Sequence, residues 1–457
     1  MSRVSIREIN LIAAPAILSA VAEPLIALLD NGIINKYAKD PTTVTAAVGA
    51  AASFFLLVVW VFSQTRTAMS TVVAQHYGAN RLRQIKNLVP QMIWMNFGIG
   101  LVFALLTRTF AQEIFWFYNV EGDVLNKTVE YFEIRALGYP FTLATLLIFG
   151  IFRGMQNTFW TMLITVGGAV INLGMDILFM KGWPGWIEPM GIKGVAISSV
   201  IVQVAMFFIA IVFYLRYTPF RLGFELKLHP QFFRFMLMSG NLIIRSIAVN
   251  AVYFFSTRFA AARGKEALAV HTIFVQIWFF CAFFIEGYAN AGNALVGKLV
   301  GQGNIESLKQ LARIMRIMTL KVALVLAMVL LVLYIPIGWS LLKTDEARDA
   351  FYHSFWLIVL MQPIIAYAFV YDDFMKGAGL MVPLRNVLIL SSFGAFVPTL
   401  YLLGYFGLNL MAIWIGFNVW MLCRAVLLRY QFHKYLDDFN EKPVYFDNFG
   451  EKPGLID

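Results

Sequence analysis

The sequence predicts an all-α membrane protein of twelve transmembrane helices in two six-helix parallel repeats with a central cavity, and three observations predict it. The residues are 60% hydrophobic and only 14% charged, with a mean hydropathy of +0.71; soluble domains run at about half apolar and a quarter charged. The apolar runs are long: at about 20 residues per span with short connections, 457 residues accommodate about twelve helices, and the runs are too extended for barrel strands. The second half also repeats the first, since adding 223 takes Gly78 to Gly301, Pro140 to Pro363 and Gly154 to Gly377.

In chain order the spans fall near 9–36, 45–75, 88–109, 124–152, 159–181, 193–216, 231–258, 266–298, 314–342, 352–379, 383–404 and 408–430. These give an N-terminal six-helix half over 1–215, a cytoplasmic linker over 216–230, a C-terminal six-helix half over 231–435 and a polar tail over 436–457. Because each repeat holds an even number of spans, both enter from the same side, and an axis along the membrane normal leaves a cavity between them. The start MSRVSIREIN runs into an apolar stretch longer than a signal-peptide core, so the first span is expected to be retained. Lysine and arginine concentrate on one side, in Arg3, Arg7, Arg81, Arg83, Lys86, the linker, Lys298 to Lys321 and Arg385. By the positive-inside rule that side is cytoplasmic and holds both termini, as in an inner (plasma) membrane protein. The formal charge of +10 then reports orientation and not nucleic-acid binding. Cys281 and Cys423 lie far apart inside apolar runs and read as core residues.

The first span holds Pro15, Pro24, Glu23 and Asp30 in one apolar stretch. An acid at the centre of a spanning helix costs about 3 kcal/mol on insertion scales, so it calls for a function. Each proline removes a backbone donor, which makes Pro15 and Pro24 candidate hinges. Counting about 1.5 Å per residue from the outer end puts Asp30 about 9 Å deep, Asp176 about 7.5 Å and Ser199 about 9 Å. Asn172 stands one turn from Asp176 on the same face. Oxygens from Asp, Asn and Ser suit either a hard cation such as sodium or a shared proton. In the second half Arg245 and Glu286 sit near mid-span and read as a buried pair, with substrate binding or coupling as the alternative. Asp372 and Asp373 stand near the cytoplasmic end of the tenth span, beside Lys376, and read as interfacial, with a direct role, substrate binding or coupling at Asp372, as the alternative. No phosphate loop, metal-ligand spacing or nucleophile–base pair is present, so neither an ATP-driven pump nor an enzyme is indicated.

The first-helix pattern Pro15, Pro24, Asp30, the span endings AQHYGA and VGKLVGQG, and NLGMD in the fifth span resemble the multidrug and toxic compound extrusion (MATE) family. The Ile-Ile-Arg ending at Arg245, and Glu286-Gly287 followed by Ala289 and Ala291, are most similar to its DinF-like branch; the likeness extends to about Leu436. The resemblance implies export of organic, often cationic or amphipathic small molecules by proton or sodium antiport with alternating access, and no cofactor beyond the coupling ion. It maps the family's N-half cation site onto Asp30, Asn172, Asp176 and Ser199, with sodium or a proton at the first three. Two departures stand out: Glu286 where aspartate is usual, and Asp373 in place of a glycine after Asp372. A lipid-linked glycan flippase of the wider superfamily is the rival reading; such proteins line their cavity with basic residues. The partners expected are small organic substrates and membrane lipid, with a monomer sufficient for transport.

Overall fold

In the computed structural model, residues 5–439 are described except 39, 119, 187, 226 and 343, with no side-chain description for 20–31 and 35. Among the described residues twelve long helical runs follow one another, with a short helix, Ala111–Phe117, between the third and fourth: α1 Ile6–Tyr37, α2 Pro41–Gly78, α3 Leu82–Thr109, α4 Gly122–Gly154, α5 Phe159–Lys181, α6 Ile192–Tyr217, α7 Phe232–Ala261, α8 Lys265–Gly301, α9 Ile305–Leu341, α10 Asp345–Ala378, α11 Met381–Tyr405 and α12 Asn409–Asp438. Among the described residues, eleven of them, α2 to α12, are long and apolar enough to cross a membrane. Among the described residues there is no β-strand, and the fold is that of an all-helical, multi-pass membrane protein. Several helices outrun their apolar stretches. α9 begins at Ile305 because Asn304 caps it, accepting the Ser307 N–H at 3.0 Å, and α10 opens on Asp345 and Glu346, acids that complement a helix N-terminus. At α2 the cap is Asp40, whose bonds from Thr43 hold its carboxyl below the usual range.

The repeat reaches the backbone. Adding 223 to the starts of α3 and α4, Leu82 and Gly122, gives those of α9 and α10, and the left-handed residues after α2 and α4, Asn80 (φ 56°) and Gln156 (φ 63°), map onto Gly303 (φ 66°) and Gly379 (φ 84°). The closing bonds repeat as well: Gln156 N–H to Arg153 O (2.9 Å) and Asn157 N–H to Phe152 O (2.9 Å) recur as Gly379 to Lys376 (3.0 Å) and Leu380 to Met375 (2.9 Å).

The chain forms two compact units. One comprises Leu18–Val73 and Arg81–Phe235. Its core is aromatic, with Phe55 stacked on Tyr139 at 4.4 Å and the Arg135 guanidinium 4.1 Å over the Phe55 ring. Pro140 lacks an N–H for the Ala136 carbonyl, and α4 tightens there to a 3-10 turn over Ala136–Gly138. The segment after α6 is held against α3: Gln91 donates to the Lys227 carbonyl at 2.7 Å and accepts the His229 N–H at 3.0 Å, and Asn87 donates to the Glu225 carboxylate at 2.6 Å.

The other unit comprises Met1–Ile17, Ala74–Asn80 and Met236–Asp457. Trp414, Phe417, Trp420, Phe274 and Phe351 form its core. Pro398 removes the donor that would reach Gly394, and α11 widens into a π-helical stretch over Leu390–Phe396. At the end of α2, Gly78 and Gly301 face each other's helix symmetrically. A Cβ on Gly78 would stand 2.0 Å from the Lys298 carbonyl oxygen, and one on Gly301 2.0 Å from that of Gln75. Since 298 is the repeat partner of 75, this is a two-fold-like crossing of equivalent segments in which only glycine fits.

Candidate functional site

The first site lies between α5 and α6. Gly194 lets α6 approach Phe179 of α5, where a Cβ would stand 2.7 Å from the Phe179 Cβ, and Gly168 does the same beneath Met206. This close packing encloses Asp176, which is only 1% exposed. Its Oδ1 accepts a hydrogen bond from the Ser198 hydroxyl. Asn172, one turn away, donates its Nδ2–H to the same hydroxyl oxygen at 3.3 Å. A carboxylate, a hydroxyl and an amide from two helices are thus joined, and their oxygens suit a proton or a small hard cation.

The hydroxyl in this group is a correction to the sequence reading. Ser199 is half-buried and makes no hydrogen bond; the neighbouring Ser198, about 100° away around the helix, reaches Asp176 instead. The side chains of Asp30 and Pro24 lie outside the described residues, while the backbone of α1 is helical across Pro15 and Pro24.

The second cluster lies inside the other unit. Arg245 of α7 points both of its bonds at Asp372 of α10, Nη2 reaching Oδ1 at 2.8 Å and Oδ2 at 2.7 Å. Lys376 lies 2.8 Å from the same Oδ1 and 3.0 Å from Asp373, and Arg424 of α12 donates to Asp372 Oδ2 at 3.1 Å. Two expectations are overturned. Arg245 pairs with Asp372, not Glu286, which is half-buried and forms no hydrogen bond or salt bridge. Asp372 and Asp373 do not face water at an interface, being 2% and 1% exposed; three cations compensate the burial of Asp372, and Lys376 that of Asp373. Arg424 was missed by sequence reasoning. It stands in the apolar run MLCRAVLL, and the rule that flagged Asp30 applies to it equally.

The sequence matches the MatE family profile over residues 15–178 and 242–402. It is 25% identical over 425 residues to DNA damage-inducible protein F of Escherichia coli strain K12, covering 91% of this chain and 90% of that protein. It is 23% identical over 449 residues to the probable multidrug resistance protein YoeA of Bacillus subtilis strain 168, covering 94% of each. The fold is similar to the crystal structure of the Vibrio cholerae MATE transporter VcmN in the bent form. The TM-score is 0.85 at 17% identity, over 95% of this chain and 98% of that one.

Proposed function

We propose, from the premise that this chain belongs to the MatE family of multidrug and toxic compound extrusion transporters as a DinF-like member, that it exports organic compounds by exchange for a proton or sodium ion. The observation that carries the reading is the buried Asp176 carboxylate tied to Ser198 and, through it, to Asn172. A carboxylate 99% enclosed by apolar helices is costly unless it is protonated or holds a cation. Export requires that state to change between the two faces of the membrane. Asp30 of α1 is proposed as the further acid of the site, and α1, with Pro15 and Pro24, as the helix whose bending answers the loss or gain of the ion. The donor set fits sodium as well as a proton: carboxylate, hydroxyl and amide oxygens are the ligands a hard cation takes. The proposed setting is the inner membrane, with both termini cytoplasmic.

Reconstituted protein in vesicles, loaded with a fluorescent amphipathic dye, tests this under a proton gradient and a sodium gradient applied separately. One of the two gradients is expected to drive dye movement, and Asp176→Asn to abolish that dependence. Transport unaffected by either gradient, or Asp176→Asn indistinguishable from the parent, would refute the coupling role.

A further inference from the structure

The cluster around Asp372 has an imbalance that its internal bonds do not resolve. An arginine carries five N–H donors and a lysine three. Asp372 accepts from Arg245, Lys376 and Arg424 with both oxygens, so its capacity is taken up. The Nε–H groups of Arg245 and Arg424 nevertheless have no partner, and the Arg424 side chain is only 3% exposed. On the opposite sign, Glu286 is half-buried, within Coulomb reach of Arg245, and bonded to nothing. The site therefore presents unmet donors and an uncommitted carboxylate together. Its formal charges balance, with Arg245, Arg424 and Lys376 against Asp372, Asp373 and Glu286.

An aromatic wall continues from the charges. Two turns along α7 from Arg245, Tyr253 packs against Trp278 at 5.5 Å, Phe279 at 5.4 Å and Trp420 at 6.4 Å. The Arg424 guanidinium lies 4.8 Å over the Trp420 ring and 5.7 Å from that of Phe369. A lone cation would meet the guanidiniums, and a lone anion would meet Glu286. An uncharged ligand would leave both signs unmet, which is costly for buried groups.

We infer that this cluster is a binding site for an amphipathic zwitterion, whose carboxylate is taken by the unmet donors of Arg245 and Arg424, whose ammonium is taken by Glu286, and whose apolar body packs along the half-buried Tyr253 and Phe279. The inference narrows the substrate class of the proposed exporter and rests on that reading for its meaning. Its test needs no gradient, so the two fail separately.

The full chain in detergent is titrated calorimetrically with three forms of one compound: the dipeptide phenylalanyl-leucine, a zwitterion; its C-terminal amide, a cation; and its N-acetyl derivative, an anion. The zwitterion is expected to bind at least tenfold more tightly than either. Arg245→Gln should erase its advantage over the amide, and Glu286→Gln its advantage over the N-acetyl form. Arg245→Lys keeps a cation for Asp372 and so preserves the fold, yet lacks the Nε donor, and should also erase the first advantage. The site is overturned if the amide binds as tightly as the zwitterion, if none of the three binds, or if the zwitterion's advantage survives these substitutions in protein that still elutes as a single species.

Discussion

The crossing of Gly78 and Gly301 yields a prediction whose size follows from the geometry. A methyl at Gly301 would lie 2.0 Å from the Gln75 carbonyl oxygen, 2.8 Å from its carbon and 3.0 Å from its Cα. Comfortable non-bonded separations begin at about 3.5 Å, so the two backbones must part by more than about 1 Å. The obstacle is backbone, and no side-chain rotation relieves it. Overpacking of this kind costs about 1–3 kcal/mol, whereas replacing glycine by alanine in a helix interior returns at most about 1 kcal/mol. Because Gly301 and Gly78 each close their helix, that return is smaller here, and the clash wins. Gly301→Ala and Gly78→Ala should each lower the thermal midpoint in detergent by several degrees. Both push the same two segments apart, so the double variant should cost less than the sum, with a coupling of about 0.5–3 kcal/mol. Gly98→Ala in α3 is the control: nothing lies within 4 Å of its Cβ position, so it should hold or raise the midpoint. Strict additivity, or Gly301→Ala matching Gly98→Ala, would show that the crossing is not the constraint described.

Three further outcomes are expected. Ser198→Ala should weaken ion-driven transport more than Ser199→Ala, because only the first hydroxyl is bonded to Asp176; vesicle efflux compares them, and the reverse order would move the site. Pro15→Ala should slow export at normal membrane insertion, and undiminished efflux would remove Pro15 from the hinge. Asp372→Asn strands the buried Arg245 and Arg424 and leaves Lys376 only Asp373, and should cost about 3–5 kcal/mol, against little for the unbonded Glu286→Gln; equal melting points would contradict the bonding pattern.

What the sequence revealed and what it hid divide along a physical line. Helix positions and the repeat were legible because they depend on runs of residues: the register that joins Gly78 to Gly301 also joins Asn80 to Gly303 in backbone conformation. Helix ends were less so, since polar caps such as Asn304 prolong a helix past its apolar stretch. The sequence points to Ser199 where Ser198 makes the contact, because counting residues fixes position along a helix, in steps of about 1.5 Å, while neighbours differ by about 100° in direction. Choosing between them needs the position of the facing helix. The Arg245–Glu286 pairing failed for a related reason. Depth made it plausible, but which acid meets Arg245 depends on α10 and α12 arriving beside α7, and hydropathy carries no such information.

The repeat also separates scaffold from chemistry. Adding 223 to Asn172 and Asp176 gives Ala395 and Thr399, and subtracting it from Asp372 and Asp373 gives Phe149 and Gly150. Neither cluster is copied in the other half, although glycine contacts are: Gly154 against Ser70 and Val73 recurs as Gly377 against Asn293 and Val296. Backbone packing is thus duplicated where helices must pass closely, and the ionisable groups are not. In unit terms, one half holds an enclosed acid bonded to neutral groups, a state that protonation or a cation can change. The other holds Asp372 paired with three cations and Asp373 beside one of them, Lys376. On the proposed reading this difference favours Asp176 and its neighbours for ion coupling, and the Asp372 cluster, with its unmet donors and Glu286, for recognition of a ligand.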